Sequence, residues 1–159
     1  MLGSCLVVDD VRSIRRQVVT WMSELGFECR DADNGAGAWE LLQQRPVNLV
    51  VTDIDMPVSS GFDLLQSIRS SSDDALRQTA VLVISSLRDH EIEPLVRQQQ
   101  ANAFVMKPLD KSLFVDAVFR TLRDSPAWGS FPTNLGEAHQ ISPRLRDLVR
   151  RAQESQSQQ

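Results

Sequence analysis

Val47-Asn48-Leu49-Val50-Val51-Thr52-Asp53 is an apolar run that ends abruptly in a carboxylate. Pro46 precedes it, and Ile54-Asp55-Met56-Pro57 and then Gly61 follow. Consecutive apolar residues of β-branched type between two prolines predict a strand buried on both faces. Strands of that kind belong to parallel sheets covered by helices, where ligands bind outside the carboxyl ends. Asp53 therefore stands where such a sheet presents its chemistry.

Working outward, the same arrangement recurs. Cys5-Leu6-Val7-Val8 ends in Asp9-Asp10, Val81-Leu82-Val83-Ile84 ends in Ser85, and Ala103-Phe104-Val105-Met106 ends in Lys107. Helical spacing fills the intervals. Ile14, Val18, Val19, Met22 and Leu25 form one apolar stripe, closed by Gly26 as a left-handed cap. Phe27 to Ala32 reads as a short strand. Asn34 is a candidate cap for a helix ending near Arg45, and Asp110 for the helix bearing Leu113, Phe114, Ala117, Val118 and Leu122. The helix after Gly61 carries Phe62, Leu64, Leu65 and Ile68. Ser70-Ser71-Ser72-Asp73-Asp74 reads as a polar, flexible connection facing solvent. Pro94 excludes a regular helix beginning at Asp89, so that helix is expected to start near residues 91–93 with proline in its first turn.

Strand and helix alternate five times, which predicts an α/β fold: a doubly wound, five-stranded parallel sheet. Right-handed crossovers and a switch point beside the first strand suggest the flavodoxin-like order 2-1-3-4-5. That order sets the first and third strands side by side and brings Asp9, Asp10 and Asp53 together.

The composition is that of an ordinary globular chain, 159 residues long and 42% hydrophobic, room for one domain and a short extension. No run approaches the roughly 18 apolar residues of a membrane span. The start, Met1-Leu2-Gly3-Ser4, runs straight into a strand, so no signal segment is expected and the expected location is cytoplasmic. A net charge of −4 argues against a general nucleic-acid binder. Cys5 and Cys29 read as small buried hydrophobes, with nothing in the sequence to imply a disulfide. His90 reads as a solvated residue at a helix start.

Clustered carboxylates repel one another and call for a cation. Mg²⁺ suits them, because it takes hard oxygen ligands and is commonly held by one or two carboxylates with phosphate. Lys107 adds a point charge and Ser85 a hydroxyl, a set able to neutralise the oxygens of a phosphoryl group in transfer. One carboxylate can then act as in-line nucleophile and form an acyl phosphate. Asp53, the terminal residue of the central strand, is the best placed.

The set resembles the receiver domain of two-component response regulators, the CheY-like fold. Its carriers are Asp9-Asp10 with Arg15, Asp53 with Met56-Pro57 and Gly61, Ser85-Ser86, and Lys107-Pro108. The resemblance covers roughly residues 4–124, so 1–124 reads as the receiver domain. It implies Asp53 as phospho-acceptor, Asp10 as a direct Mg²⁺ ligand, Asp9 acting through water, and the backbone carbonyl of Asp55 completing the metal site. It implies switch roles for Ser85 and Phe104, a histidine kinase or phosphotransfer protein as donor, and a downstream protein target. The chain would then be a signalling switch that catalyses its own phosphorylation and dephosphorylation, not a turnover enzyme. Two departures stand out: Pro94 in the fourth helix, and Gln100 where receivers usually carry glycine.

Two other readings compete. Asp53-Ile54-Asp55 matches the DxD pair of haloacid-dehalogenase-type phosphatases, but there the pair ends the first strand, whereas here Asp9-Asp10 come first. A phosphorylation-independent interaction module is the other, and the intact set of Asp9, Asp10, Asp53, Ser85 and Lys107 argues against it. Residues 125–159 read as an irregular linker, a short amphipathic helix carrying Leu145, Leu148 and Val149, and a disordered polar end. Trp128 and Phe131 in that linker are expected to find cover on the receiver or across a homodimer. No DNA-binding domain is expected there.

Overall fold

The structure is a computed structural model, and it describes residues 2–87 and 92–124. The expectations for His90 and for the 125–159 extension lie outside the described residues. Five strands, β1 (Gly3–Val8), β2 (Phe27–Ala32), β3 (Leu49–Asp53), β4 (Ala80–Ser85) and β5 (Ala103–Met106), form one parallel sheet in the order β2-β1-β3-β4-β5. The helices are α1 (Arg12–Glu24), α2 (Gly35–Gln44), α3 (Gly61–Arg69), α4 (Asp74–Arg77), α5 (Ile92–Gln98) and α6 (Lys111–Arg123). This is the doubly wound α/β fold with the order expected from the alternation.

The strand period of two divides the core. Val7, Leu49, Val51, Leu82 and Ile84 pack with Val18 and Met22 of α1 and with Phe114, Val118 and Leu122 of α6. Leu6, Val8, Val50, Val81 and Val83 face the other way, against α2, α3 and Val96 of α5. Every residue of β3 is buried. Full burial of each Leu or Val contributes about 1.5–3 kcal/mol relative to exposure, so the central strand is among the chief sources of stability. Trp21 and Phe114 meet with ring centroids 5.6 Å apart and join α1 to α6.

The helix ends follow their local chemistry. Asn34 Oδ1 accepts the Gly37 N–H at 2.9 Å, and Asp110 Oδ1 accepts the Leu113 N–H at 3.0 Å, as the sequence suggested. Ser60 and Asp63 form a reciprocal capping box at the start of α3. Gly26, at φ +97°, ends the α1 turn in the left-handed region that glycine enters without steric cost. Pro94 is the third residue of α5, within the first turn, where its missing N–H has no helical partner to lose.

One element was not foreseen. The polar stretch from Ser70 to Asp73 is a largely exposed connection, as expected, but Asp73 caps the one-turn helix α4, and Leu76 of that turn is buried. The close of α3 is also more ordered than its sequence suggests. Arg69 donates from Nε to the Gln100 carbonyl at 2.9 Å and from Nη1 to the Arg77 and Thr79 carbonyls, both at 2.7 Å. Its Nη2 reaches Asn102 Oδ1 at 2.9 Å. One guanidinium thus ties α3, α4 and the starts of β4 and β5 together. Gln100, the departure from glycine, has φ +69°.

Candidate functional site at the carboxyl ends of the strands

The site stands beyond β1 and β3, the adjacent strands at the switch point. Carboxylate oxygens of Asp9, Asp10 and Asp53 all lie within 4.8 Å of one another. Asp9 has no solvent exposure, Asp53 is buried, and Asp10 is exposed. Backbone donors hold the two buried groups: Val11 N–H donates to Asp9 Oδ1 at 2.9 Å, and Ile54 N–H donates to Asp53 Oδ1 at 2.7 Å. Such donors carry no side-chain signature, and sequence reading did not find them. Arg15 braces the first of these loops, donating to the Asp9 carbonyl at 2.8 Å and to Asp31 Oδ2 at 2.7 Å.

Lys107, just past β5, reaches across the site. Its Nζ is 2.7 Å from Asp9 Oδ2 and 3.2 Å from Asp53 Oδ2. Burial pushes the Asp53 carboxyl above its usual pKa; the Lys107 charge opposes the rise and Asp9 adds to it. Burial works against the Lys107 charge, but its hydrogen bond to Asp9 and the charges of both aspartates outweigh that cost and raise its pKa.

Gly61 opens α3 against the end of β3. A Cβ there would stand 2.0 Å from the Asp53 carbonyl oxygen and 2.9 Å from Ile54 Cα, so no other residue allows this approach. Its N–H donates to the Ile54 carbonyl at 2.9 Å, which fixes the loop that carries Asp55.

Three comparisons bear on this geometry. The sequence model of the response regulator receiver domain matches residues 5–119. The chain belongs to the response regulator receiver domain family. It is 33% identical over 121 residues to the chemotaxis protein CheY-3 of Vibrio cholerae, a match covering 74% of this chain and 92% of that protein. It is 29% identical over 153 residues to the DNA-binding transcriptional regulator NtrC of Bradyrhizobium, covering 93% of this chain and 31% of that protein. In three dimensions it is similar to the response regulator CheY4 of Vibrio cholerae, with a TM-score of 0.70 over 76% of this chain and 99% of that one, at 24% identity.

In this receiver the remaining residues singled out from the sequence stand as follows. Ser85 is fully buried at the end of β4; its carbonyl accepts the Lys107 N–H at 2.8 Å and its Oγ accepts the Leu87 N–H at 3.0 Å. Phe104 is half-buried in β5, paired with Val83, and packs on the core side that holds α3 and α5. Asp55 is exposed in the loop after β3. The donor set of the acidic cluster is oxygen throughout, with one exposed carboxylate leaving a side open, which fits a hard divalent cation. Among the described residues no helix is long and apolar enough to cross a membrane.

Proposed function

We propose that the chain is a phosphorylation switch: Asp53 accepts a phosphoryl group from a histidine kinase or phosphotransfer protein, and the change alters binding of a protein target. The observation that carries this reading is Lys107 lying between Asp9 and Asp53 with all three carboxylates within 4.8 Å. Asp10, Asp53 and the Asp55 carbonyl would hold Mg²⁺ directly, and Asp9 through water. When bound, the ion would supply positive charge to the oxygens of the incoming phosphoryl group.

The protein's own groups divide the work. Asp53, kept from water and held by the Ile54 N–H through Oδ1, attacks phosphorus through Oδ2. The bond from phosphorus to the donor nitrogen breaks, its electron pair stays on the donor imidazole, and Asp53 becomes an acyl phosphate. Lys107 keeps Asp9 and, as Asp53 Oδ2 is taken up in the new bond, turns its ammonium from that oxygen to a phosphoryl oxygen, where charge builds. The Ser85 hydroxyl, one strand over, serves as a donor to the same group, and Phe104 on the next strand responds by repacking. Asp9 has both oxygens taken and no exposure, which suits an indirect role toward the metal; the exposed Asp10 suits a direct one. The chain acts in the cytoplasm as a switch whose own phosphoryl group is the signal, not as a turnover enzyme.

Acetyl phosphate with Mg²⁺ should add one phosphoryl group to the intact chain, seen by mass spectrometry and mapped to Asp53. Asp53→Asn should abolish the adduct and Lys107→Ala should impair its formation or the response to it. Undiminished uptake by Asp53→Asn would sink the assignment.

A further inference from the structure

The two cysteines lie on neighbouring strands in matched register: Cys5 of β1 is paired with Cys29 of β2. Both are free thiols, and their sulfurs approach to 2.8 Å, with one thiol donating to the other. Adjacent strands in a parallel ladder run about 4.7–4.9 Å apart, inside the roughly 4.4–6.8 Å Cα separation that a disulfide spans. A cross-link at this pair therefore needs no movement of the sheet. The two positions differ in access. Cys5 is completely buried, whereas Cys29 is half-buried beside Ser23, an exposed residue near the end of α1.

We propose that Cys5 and Cys29 form a peroxide-sensitive dithiol, with Cys29 the attacked thiol and Cys5 the resolving one, whose oxidation ties β2 covalently to β1. The surroundings support that order. The Cys5 thiol bonds to the Cys29 sulfur and favours its thiolate; burial opposes this, the Ser23 hydroxyl 3.9 Å away assists, and the Asp31 charge resists. The net effect lowers the Cys29 pKa, while the bond to Cys29 and burial hold Cys5 protonated. A partly exposed sulfur whose pKa is lowered, beside a second thiol, is the arrangement that peroxide oxidises selectively. The Phe27 carbonyl, 3.7 Å from the Cys29 sulfur, accepts its proton in the reduced state.

The chemistry balances with hydrogen peroxide as oxidant. The Cys29 sulfur attacks one peroxide oxygen, the O–O bond breaks, and hydroxide leaves with the Cys29 proton as water. Cys29 is then a sulfenic acid. The Cys5 sulfur attacks the Cys29 sulfur, the S–O bond breaks, and hydroxide leaves with the Cys5 proton as a second water. Two thiols lose two electrons, and one peroxide gains them. The product closes the β1-α1-β2 segment across a separation of 24 residues and fastens β2, an edge strand that among the described residues pairs with β1 alone. Asp9 lies four residues beyond Cys5 on the same chain segment, roughly 13 Å along the strand direction, so the cross-link and the acidic site are carried by one strand.

The chain has only these two cysteines, which makes the test direct. The intact protein is exposed to a modest excess of hydrogen peroxide, quenched, unfolded, alkylated and weighed without reductant. The expected product is a single chain lighter by two hydrogens, carrying no alkyl group, with one peptide pair joining Cys5 to Cys29, all reversed by dithiothreitol. Two alkylated thiols after peroxide, an interchain disulfide, or a terminal sulfinic acid on Cys29 would overturn the proposal. Cys5→Ala should leave Cys29 as a sulfenic acid captured by dimedone, and folded Cys29→Ala should leave Cys5 unlabelled. Capture at Cys5 in the latter would overturn the order of attack. The wild-type mass measurement decides the cross-link even if a variant fails to fold, and no readout depends on phosphorylation of Asp53.

Discussion

Lys107 holds Asp9 more closely than it holds Asp53, with Nζ at 2.7 Å from the first and 3.2 Å from the second. Asp9 has no exposure and Lys107 retains only 11% of its side-chain surface, so this pair is shielded from water. The geometry divides the two buried carboxylates. Asp9 is satisfied at both oxygens, by Val11 and Lys107, while Asp53 carries the cost of burial and its pKa rises.

Removing the lysine should therefore expose that cost. Lys107→Ala leaves Asp9 as a buried charge without its partner, a change that costs about 3–5 kcal/mol in buried pairs. Urea denaturation in EDTA should show a loss of that order, and millimolar Mg²⁺ should restore part of it by supplying the missing cation. A variant as stable as the parent in EDTA would mean that Asp9 does not depend on Lys107.

Asp53 gives a pH signature. Its folded pKa lies above the unfolded value, so its stabilising contribution is complete below the unfolded pKa and is lost as pH rises through the folded one. At neutral pH without metal the ionised group thus lowers stability. Asp53→Asn, which keeps an oxygen for the Ile54 N–H, should melt higher than wild type at pH 7 in EDTA. The gap should close as the pH falls toward the unfolded carboxyl value. Equal melting temperatures at neutral pH would contradict the shift.

How far these features were legible varied with their physical origin. Strand ends were readable because an apolar run stops at a charged residue, as at Val51-Thr52-Asp53 and Val7-Val8-Asp9, and strand order followed from the alternation. Caps at Asn34 and Asp110 act within three residues, so local sequence suffices for them. The helix α4 has four residues, too few for a periodic signal, and was hidden in a serine- and aspartate-rich stretch. The Cys5–Cys29 contact and the reach of Arg69 depend on register and on segments more than twenty residues apart. The metal-binding roles proposed for Asp10 and Asp55 rest on family resemblance, since spacing alone brings Asp9, Asp10 and Asp53 together without ranking them.

Gly61 tests the contact between α3 and the end of β3. Its missing side chain leaves room for the Asp53 carbonyl, and Gly61→Ala would place a Cβ within 2.0 Å of it. Backbone on both sides must separate. The expected loss is about 3 kcal/mol or more, the upper range for point substitutions, together with slower uptake of a phosphoryl group from acetyl phosphate. Unchanged stability would show that the loop yields without cost.

Arg69 tests the opposite end of the sheet. Arg69→Met keeps much of the side-chain length but removes every donor, leaving the Gln100, Arg77 and Thr79 carbonyls and Asn102 Oδ1 short of a partner. Hydrogen bonds involving a charged group contribute roughly 1.5–3 kcal/mol each, though water replaces those at the surface, so the net loss should be about 3 kcal/mol in urea denaturation. A loss below about 1 kcal/mol would mean that solvent serves those carbonyls equally well.

Gln100 offers a change that should stabilise. At φ +69° it occupies the left-handed region, which costs a residue with a Cβ about 1–2 kcal/mol. Glycine enters that region freely, at a penalty of about 0.4–1 kcal/mol from the greater freedom of its unfolded chain. The Arg69 bond is made to the main-chain carbonyl of Gln100, so it survives the substitution. Gln100→Gly should therefore raise stability by up to about 1.6 kcal/mol, the largest difference between those opposing effects. Gln98→Gly, two residues earlier in the last turn of α5, should do the reverse by about 0.5–1 kcal/mol, because there the backbone is helical and glycine brings only its entropy. Paired urea titrations of the two variants separate the explanations. A shift of the same sign in both would show that the local change reflects side-chain loss and not the backbone angle.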